Sequence, residues 1–495
     1  MEAAIASTTA QDALAGMFGP ETLGPETPCS EALGPETFGQ AHFGGCKLGD
    51  LRLTKRAVIT ANAMLRHPDG TLPAKLSTAE LLGFYDMANN PKVNHDNLLA
   101  AHCRRTRELM EQCGGTVLII HDTTEADFSG LDIADLGQIG NGFNRGLLVH
   151  NVLAVDYANR EALGLVGQMV QARRVVPKRE SVDASRNHPQ RESRLWPRGA
   201  EAVGRPPEGS VWVNLMDRGG DSFECLERQQ LLGQFYLVRS RTNRTVRVQD
   251  AKGRWIERKL HTWARKLPSL GTRSVEVKAQ PDQQARTATV SVSAAAVELQ
   301  VPHVKCGEHG RSPLVAWVIV VKEIDAPAGQ APLEWILLTN APTATKQQAW
   351  QRVDWYQCRP IVEEYHKAQK TGCGMEQPQF TTRKALEVTI AILSVVAVQL
   401  LRLRDLSRRP DADTIPATEV IHEDYVEGLS LWRWKEARMD LSVKEFLYAL
   451  ARKGGHLGRP SDRPPGWLVL WRGWLELQPL VEGLRLARMK RRGST

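Results

Sequence analysis

The stretches GTVLIIHDTT (115–124) and SVWVNLMDRGGD (210–221) share one design, an apolar run that ends in a carboxylate. The first closes on Asp122 and the second on Asp217. A short apolar run bounded by polar turn residues reads as a strand. Between them stand two more such runs, GLLVHNVLAVD (146–156) and ALGLVGQMVQAR (162–173), then a polar, basic section with helical potential. After Asp217 come a short helix and the strand FYLVRS (235–240). The order is three strands, a helix, a strand, a helix and a strand. Three strands in succession predict a hairpin meander feeding a mixed α/β sheet.

That order is the one found in ribonuclease-H-like folds. Adjacent strands lie about 4.8 Å apart, so two strand-end acids can share one ion or bridge two. A third acid, Glu363, lies in YQCRPIVEEYHKAQK (356–370) together with Tyr356, Arg359, Lys367 and Lys370. Glu363, Lys367 and Lys370 are spaced by four and three, which places them on one helical face. The stripe reads either as an ion-pair ladder or as an acid that holds metal beside lysines that hold phosphate. Pro360 starts or bends this helix. Taken singly, an aspartate at a strand end is a cap or turn residue. Taken with Glu363, the pair points to hard oxygen ligation of Mg²⁺, or Mn²⁺, rather than zinc. Two such ions about 4 Å apart stabilise the attacking and leaving oxygens of a phosphodiester.

The chain has 495 residues, a formal net charge of +8, 42% hydrophobic residues and a pI near 9.1. Those values suit a globular nucleic-acid binder whose catalytic acids offset part of a basic surface, and equally a basic enzyme with no polyanion partner. Eight cysteines are scattered without a CxxC pair, as expected of reduced thiols. The first residues lack a basic-then-apolar leader, and VTIAILSVVAVQLL (388–401) falls short of the roughly 18 residues a membrane span needs. A cytoplasmic protein with no membrane partner is therefore expected, nucleoid-associated when on DNA in a bacterial cell.

Along the chain, residues 1–42 carry GPET three times and read as a disordered tail. Residues 43–113 read as a helical domain, with Arg52, Lys55 and Arg56 close together on one helix and Arg104, Arg105 and Arg107 on another. Both clusters read as solvated faces or as phosphate contacts. STAE (77–80) has the form of a capping box. Residues 114–375 read as the α/β core, interrupted at about 241–330 by a β-rich insertion. GQIGNGFNRG (137–146) lacks the ending of a P-loop and reads as a turn before a strand. HVKCGEHG (303–310) offers His303, Cys306 and His309 but no evident fourth zinc ligand. Residues 380–495 read as helical, opening on a long buried helix and ending in a Trp-rich segment that is either core or a dimer surface.

At this point the chain resembles a known group. Tyr356, Arg359, Glu363 and Lys370 match the Y-x2-R-x3-E-x6-K signature of the DDE transposases of insertion-sequence family four, the YREK group. LGDLRLTKR (48–56), HDTT around Asp122, DRGGD around Asp217, VRS (238–240), LEWILLT (333–339) and EEYHKAQKTG (363–372) continue the likeness in order. WLVLWRGWLELQPLVEGL (467–484) is similar to that family's helical dimerisation region. The resemblance implies cut-and-paste transposition: a homodimer pairs two terminal inverted repeats of double-stranded DNA, nicks them, passes through a hairpin and joins 3′-hydroxyl ends to target DNA. It implies that Asp122, Asp217 and Glu363 hold two Mg²⁺ ions and that Arg239, Tyr356, Arg359, Lys367 and Lys370 contact end DNA. Trp335 takes the place of the tryptophan that accommodates a flipped base. Pro360 stands where an aromatic residue is found in the family, and the GPET tail has no counterpart. Alternatives that keep this architecture are a catalytically inactive inhibitor of transposition and a nuclease without strand transfer.

Overall fold

A computed structural model describes residues 35–67, 71–277, 285–302, 310–459, 462 and 464–492. His303, Cys306 and His309 lie outside the described residues, as does most of the GPET segment. Among the described residues, twelve strands form one mixed sheet. They are β1 (Thr116–Asp127), β2 (Gly137–Gln138), β3 (Arg145–Asp156), β4 (Glu161–Gln171), β5 (Val211–Met216) and β6 (Phe235–Arg239), then β7 (Thr245–Gln249), β8 (Trp255–Lys259), β9 (Gly271–Val277), β10 (Arg286–Leu299), β11 (Leu314–Ile324) and β12 (Glu334–Thr339). The core order is β4-β3-β1-β5-β6. β3 lies between β4 and β1 and runs antiparallel to both. β5 and β6 run parallel to β1 and to each other. β12, which follows the insertion, pairs with β6, and the insertion's own strands β11, β10, β7 and β8 continue outward from it with β9 on β10, so that the insertion extends the sheet rather than forming a separate one.

Side chains alternate between the two faces with a period of two. Val117, Ile119 and Trp212 pack with Leu195, Trp196, Phe223 and Leu226 of α5 (Leu195–Val203) and α6 (Phe223–Leu231). Leu118, Ile120, Val213 and Leu215 pack on the opposite face with Val362, Tyr365 and Leu393. Asp122 follows Leu118 and Ile120 by this period, and Asp217 follows Val213 and Leu215. Both acids therefore belong to the second face.

That face is covered by α9 (Arg383–Leu406). The helix is longer than its apolar centre suggested and, by length and composition alone, could cross a membrane; 89% of its most apolar window is buried inside the fold. The N-terminal helices pack against it and share its core. These are α1 (Pro35–Phe43), α2 (Leu51–Arg66), α3 (Thr78–Asn89) and α4 (His95–Gln112). α1 corrects the expected tail: its residues Phe38 and Phe43 are buried, which gives residues 35–42 the apolar anchor that the GPET repeats lack. The Ser77 capping box is present, with Ser77 N donating to Glu80 Oε2 at 2.9 Å. At the other end of the chain, α10 (Glu423–Trp434), α11 (Val443–Lys453) and α12 (Trp467–Arg492) form a bundle. Trp471 and Trp474 are core residues there; Trp474 stacks on Tyr425 at 4.6 Å with ring planes 2° apart.

Candidate active site

Asp122 sits within β1, opposite Asn151 of β3. Asp217 is the first residue past β5 and caps a single 3₁₀ turn, its Oδ1 accepting from Gly219 N at 2.8 Å. The glycines of DRGGD are there for space: a Cβ on Gly220 would lie 2.6 Å from Met216 Sδ and 2.9 Å from Trp196. The turn therefore presses flat against α5.

Glu363 lies on α8 (Ile361–Lys367), which follows α7 (Lys346–Tyr356) after a break at Pro360. Proline here is the residue just before the first turn, where its missing N–H costs nothing. Pro360 thus starts the helix that carries Glu363, one of the two roles its sequence position allowed. Past Lys367 the chain widens into a π turn, Ala368–Gly372. Such turns often occur at functional sites. The turn also ends the predicted stripe of Glu363, Lys367 and Lys370. Lys367 is exposed, whereas Lys370 bends to Glu376 at 3.0 Å.

Arg359 joins two of the three acids. Its Nη2 donates to Asp122 Oδ2 at 3.1 Å and its Nη1 to Glu363 Oε1 at 2.8 Å. Burial pushes the Asp122 carboxyl up to about 6; Arg359 opposes this, while Asp217 and Glu363 add repulsion. Asp217 and Glu363 thus both act on Asp122. Among the described residues, no group of three or more His, Cys, Asp or Glu is already gathered as a metal-ligating set. The guanidinium of Arg359 occupies the space between two of them. In charge and donor type the acids fit a hard cation, which would take over the neutralising part that Arg359 now plays.

Beside Asp217 a basic cleft of about 300 Å³ opens, lined by Arg218, Arg239, Ser240, Arg241, His261, Arg265, Glu334 and Ile336. Burial, with the Arg218 charge beside it, holds the Arg239 guanidinium below its usual range. Glu334 is occupied by Arg265 at 2.7 and 2.9 Å. Asp221, the second acid of DRGGD, builds this cleft: its Oδ2 accepts from Arg241 N at 2.6 Å, and its Oδ1 pairs with Arg244. Tyr356 is buried near Arg359, Arg239, Asp217 and Arg218, and burial pushes its phenol up to about 12. Trp335 meets it edge to face at 5.4 Å. Arg218, Arg241, His261 and Arg265 escaped the sequence reading. The signal was present in part, as RSR (239–241) directly after a strand and an arginine directly after Asp217.

The N-terminal bases are less available than their sequence suggests. Arg52 is exposed but forks onto Asp50, with Nη2 to Oδ2 at 2.8 Å. Lys55 is exposed. The guanidinium of Arg56 lies over Gly83 of α3, in the space where a Cβ would stand. Arg104 and Arg107 donate to the backbone carbonyls of Gly45 and Ala202.

Comparison with solved structures aligns 94% of this chain with 84% of a chain in the cryo-EM structure of a piggyBac transposase synaptic complex with hairpin DNA, at 10% identity and a TM-score of 0.36. Residues 35–93 match the family model described as "Transposase DNA-binding", which makes the segment from α1 through α3 similar to the DNA-binding part of transposases.

Proposed function

We propose that the chain is a DNA transposase of the DDE type, with a ribonuclease-H-like core that cuts transposon ends and joins them to target DNA. The observation that carries this reading is the meeting of Asp122 and Glu363 on one guanidinium, with Asp217 close enough to perturb the same carboxyl. The strand order β4-β3-β1-β5-β6, three antiparallel strands followed by two parallel ones, supports the core assignment. The match over residues 35–93 supports DNA as the partner.

On this reading Asp122, Asp217 and Glu363 would hold a pair of Mg²⁺ or Mn²⁺ ions. Bound there, the ions supply charge stabilisation at the attacking and leaving oxygens. Arg359 keeps the acids neutralised in the free protein and turns to the DNA phosphate when that charge is met otherwise. Arg218, Arg239, Arg241 and Arg265 line the adjoining cleft, where a phosphate backbone or an extruded nucleotide finds a ring of donors. Trp335, half-buried between Glu334 and Ile336 of that cleft and backed by the buried Tyr356 ring, offers aromatic surface there. Two copies acting on two ends would complete the reaction.

The test uses the full-length protein, Mg²⁺ and DNA carrying the inverted repeats that flank its coding region. Wild type should cut the ends and join them to a plasmid. Asp122→Ala, Asp217→Ala and Glu363→Ala should each abolish cutting while end binding persists. Cutting at the wild-type rate by any of the three removes that residue from the site, and cutting without joining of precut ends makes the protein a nuclease only.

A further inference from the structure

Behind the acids lies a second polar row that no part of the reaction uses. Asp122 on β1 is paired with Asn151 on β3, and Asn151 with Gln168 on β4. Directly opposed residues on neighbouring strands share a face. Asp122, Asn151 and Gln168 therefore form one line across the sheet, pointing at the same covering helices. The first residue of the line holds Arg359. The second holds Gln369, ten residues further on: Asn151 Nδ2 donates to Gln369 Oε1 at 3.1 Å, and Gln369 Nε2 lies 3.4 Å from Asn151 Oδ1. Gln369 Nε2 also donates to Ser394 Oγ of α9 at 2.9 Å. Gln168 Nε2 donates to the same Oγ at 2.9 Å and to Asn151 Oδ1 at 2.5 Å. His95 Nε2, in the first turn of α4, closes the chain at 2.8 Å from Gln168 Oε1. All five side chains are buried.

The helix this network grips has little means of fixing itself. α8 has seven residues and no side-chain bond at its N-terminus. A helix that short has no stability of its own in water. Its position comes from tertiary contacts. Arg359 ties its front end to Asp122, Tyr365 Oη donates to Ser394 O at 2.8 Å, and Gln369 ties its rear to Asn151. The π turn has a role in this. It opens the helix at Ala368–Gly372, where Gln369 is fully buried while Glu363 faces outward.

We propose that Asn151, Gln168, Gln369 and Ser394 are positioning residues that set the register of the Glu363 helix against the strand carrying Asp122. The inference rests on the transposase reading for its functional consequence, but the anchoring itself can be measured without it.

The experiment compares full-length wild type with Gln369→Met, which keeps the volume and removes the amide. Amide hydrogen exchange over residues 361–372 should rise about tenfold, with exchange in β1 and β5 unchanged. Single-turnover cleavage of flanking-repeat DNA should slow about tenfold at unchanged end affinity. Tenfold corresponds to about 1.4 kcal/mol, on the scale of one net buried hydrogen bond. If Gln369→Met does not fold, the pair Asn151→Leu with Gln369→Leu replaces it, because both amides go together and Gln168 Nε2 keeps its bond to Ser394 Oγ. Cleavage at the wild-type rate overturns the proposal. So does exchange that rises equally throughout the sheet, since that marks general loosening. If wild type itself cuts no DNA, the functional reading fails, and local exchange at 361–372 alone decides the anchoring.

Discussion

Glu161 carries the most quantitative consequence of this fold. It opens β4, facing Asp156 across the β3–β4 hairpin, and its Oε1 is buried without a hydrogen bond. The nearest cation, Arg409, stands 3.7 Å away, and burial pushes the carboxyl up to about 7. An unfolded glutamate titrates near 4.5. Between those values the native chain binds more protons than the unfolded one, so this group makes stability fall as pH rises. At about 1.36 kcal/mol per unit of pKa difference, the loss is roughly 2 kcal/mol by pH 6 and roughly 3 by pH 7.5. Glu161→Gln removes the titration and keeps the shape. Urea denaturation midpoints of the two proteins, measured from pH 4.5 to 8, should therefore diverge. The glutamine variant gains about 2–3 kcal/mol relative to wild type across that range, with the difference developing between pH 5 and 7. Taking the difference cancels every other titrating group that the substitution leaves alone. A difference that stays flat, or shrinks as pH rises, would refute the claim that burial outweighs Arg409 at this carboxyl. The site matters beyond its own residue, since the neighbouring Ala162 N donates to Asp405 of α9 at 3.0 Å and so pins the covering helix to the sheet.

Other outcomes follow from the same structure. His42 and His102 are buried with Nδ1 atoms 3.0 Å apart, and burial lowers both, His102 to about 3. Below pH 6.5 the unfolded chain binds more protons at these rings, so each should cost up to about 1.4 kcal/mol per pH unit on acidification; a difference in denaturation midpoint between wild type and the His42→Gln, His102→Gln double variant that holds steady from pH 6.5 to 4.5 would contradict this. Gly454 and Gly473 let α11 and α12 touch backbone to backbone, because a Cβ on Gly473 would collide with Leu450 O. Gly473→Val should lower stability by about 2 kcal/mol or more, seen as a drop in Tm. Ser77→Ala removes the capping box of α3 and should cost about 1 kcal/mol, read from the same melts.

The sheet was legible because its signals are local. An apolar run such as Leu314–Ile324 has the length and period of a strand whatever surrounds it, and the structure places β11 over those residues. Asp217 stands at its strand end as read, the first residue past β5, whereas β1 runs on beyond Asp122 to Asp127 because β3 pairs with it along that length. What escaped depends on contacts far apart in sequence. Arg56 and Arg107 look like DNA contacts on a helical wheel, but one lies over Gly83 and the other on the carbonyl of Ala202. A charge count cannot tell a guanidinium that faces solvent from one that staples two helices together. The N-terminal boundary failed similarly: Phe38 and Phe43 are two aromatic residues in a Gly-rich segment, and only the groove beside α2 makes them a helix face.

The signature helix shows the same division more sharply. Spacing put Glu363, Lys367 and Lys370 on one stripe, on the assumption of an unbroken 3.6-residue turn. The π turn at Ala368–Gly372 breaks that assumption and hands Gln369 to the interior. Nothing in HKAQKTG announces a π turn, since the reason for it stands on other elements: Asn151 on β3 and Ser394 on α9 supply the partners that make a buried glutamine affordable. A buried amide without those partners would cost more than the turn could return. The acids of the site are thus readable one by one, whereas the distance between them is a property of the row behind them. A change at Asn151, which touches no reacting atom, should therefore move Glu363 more than a change at exposed Lys367 on the same helix.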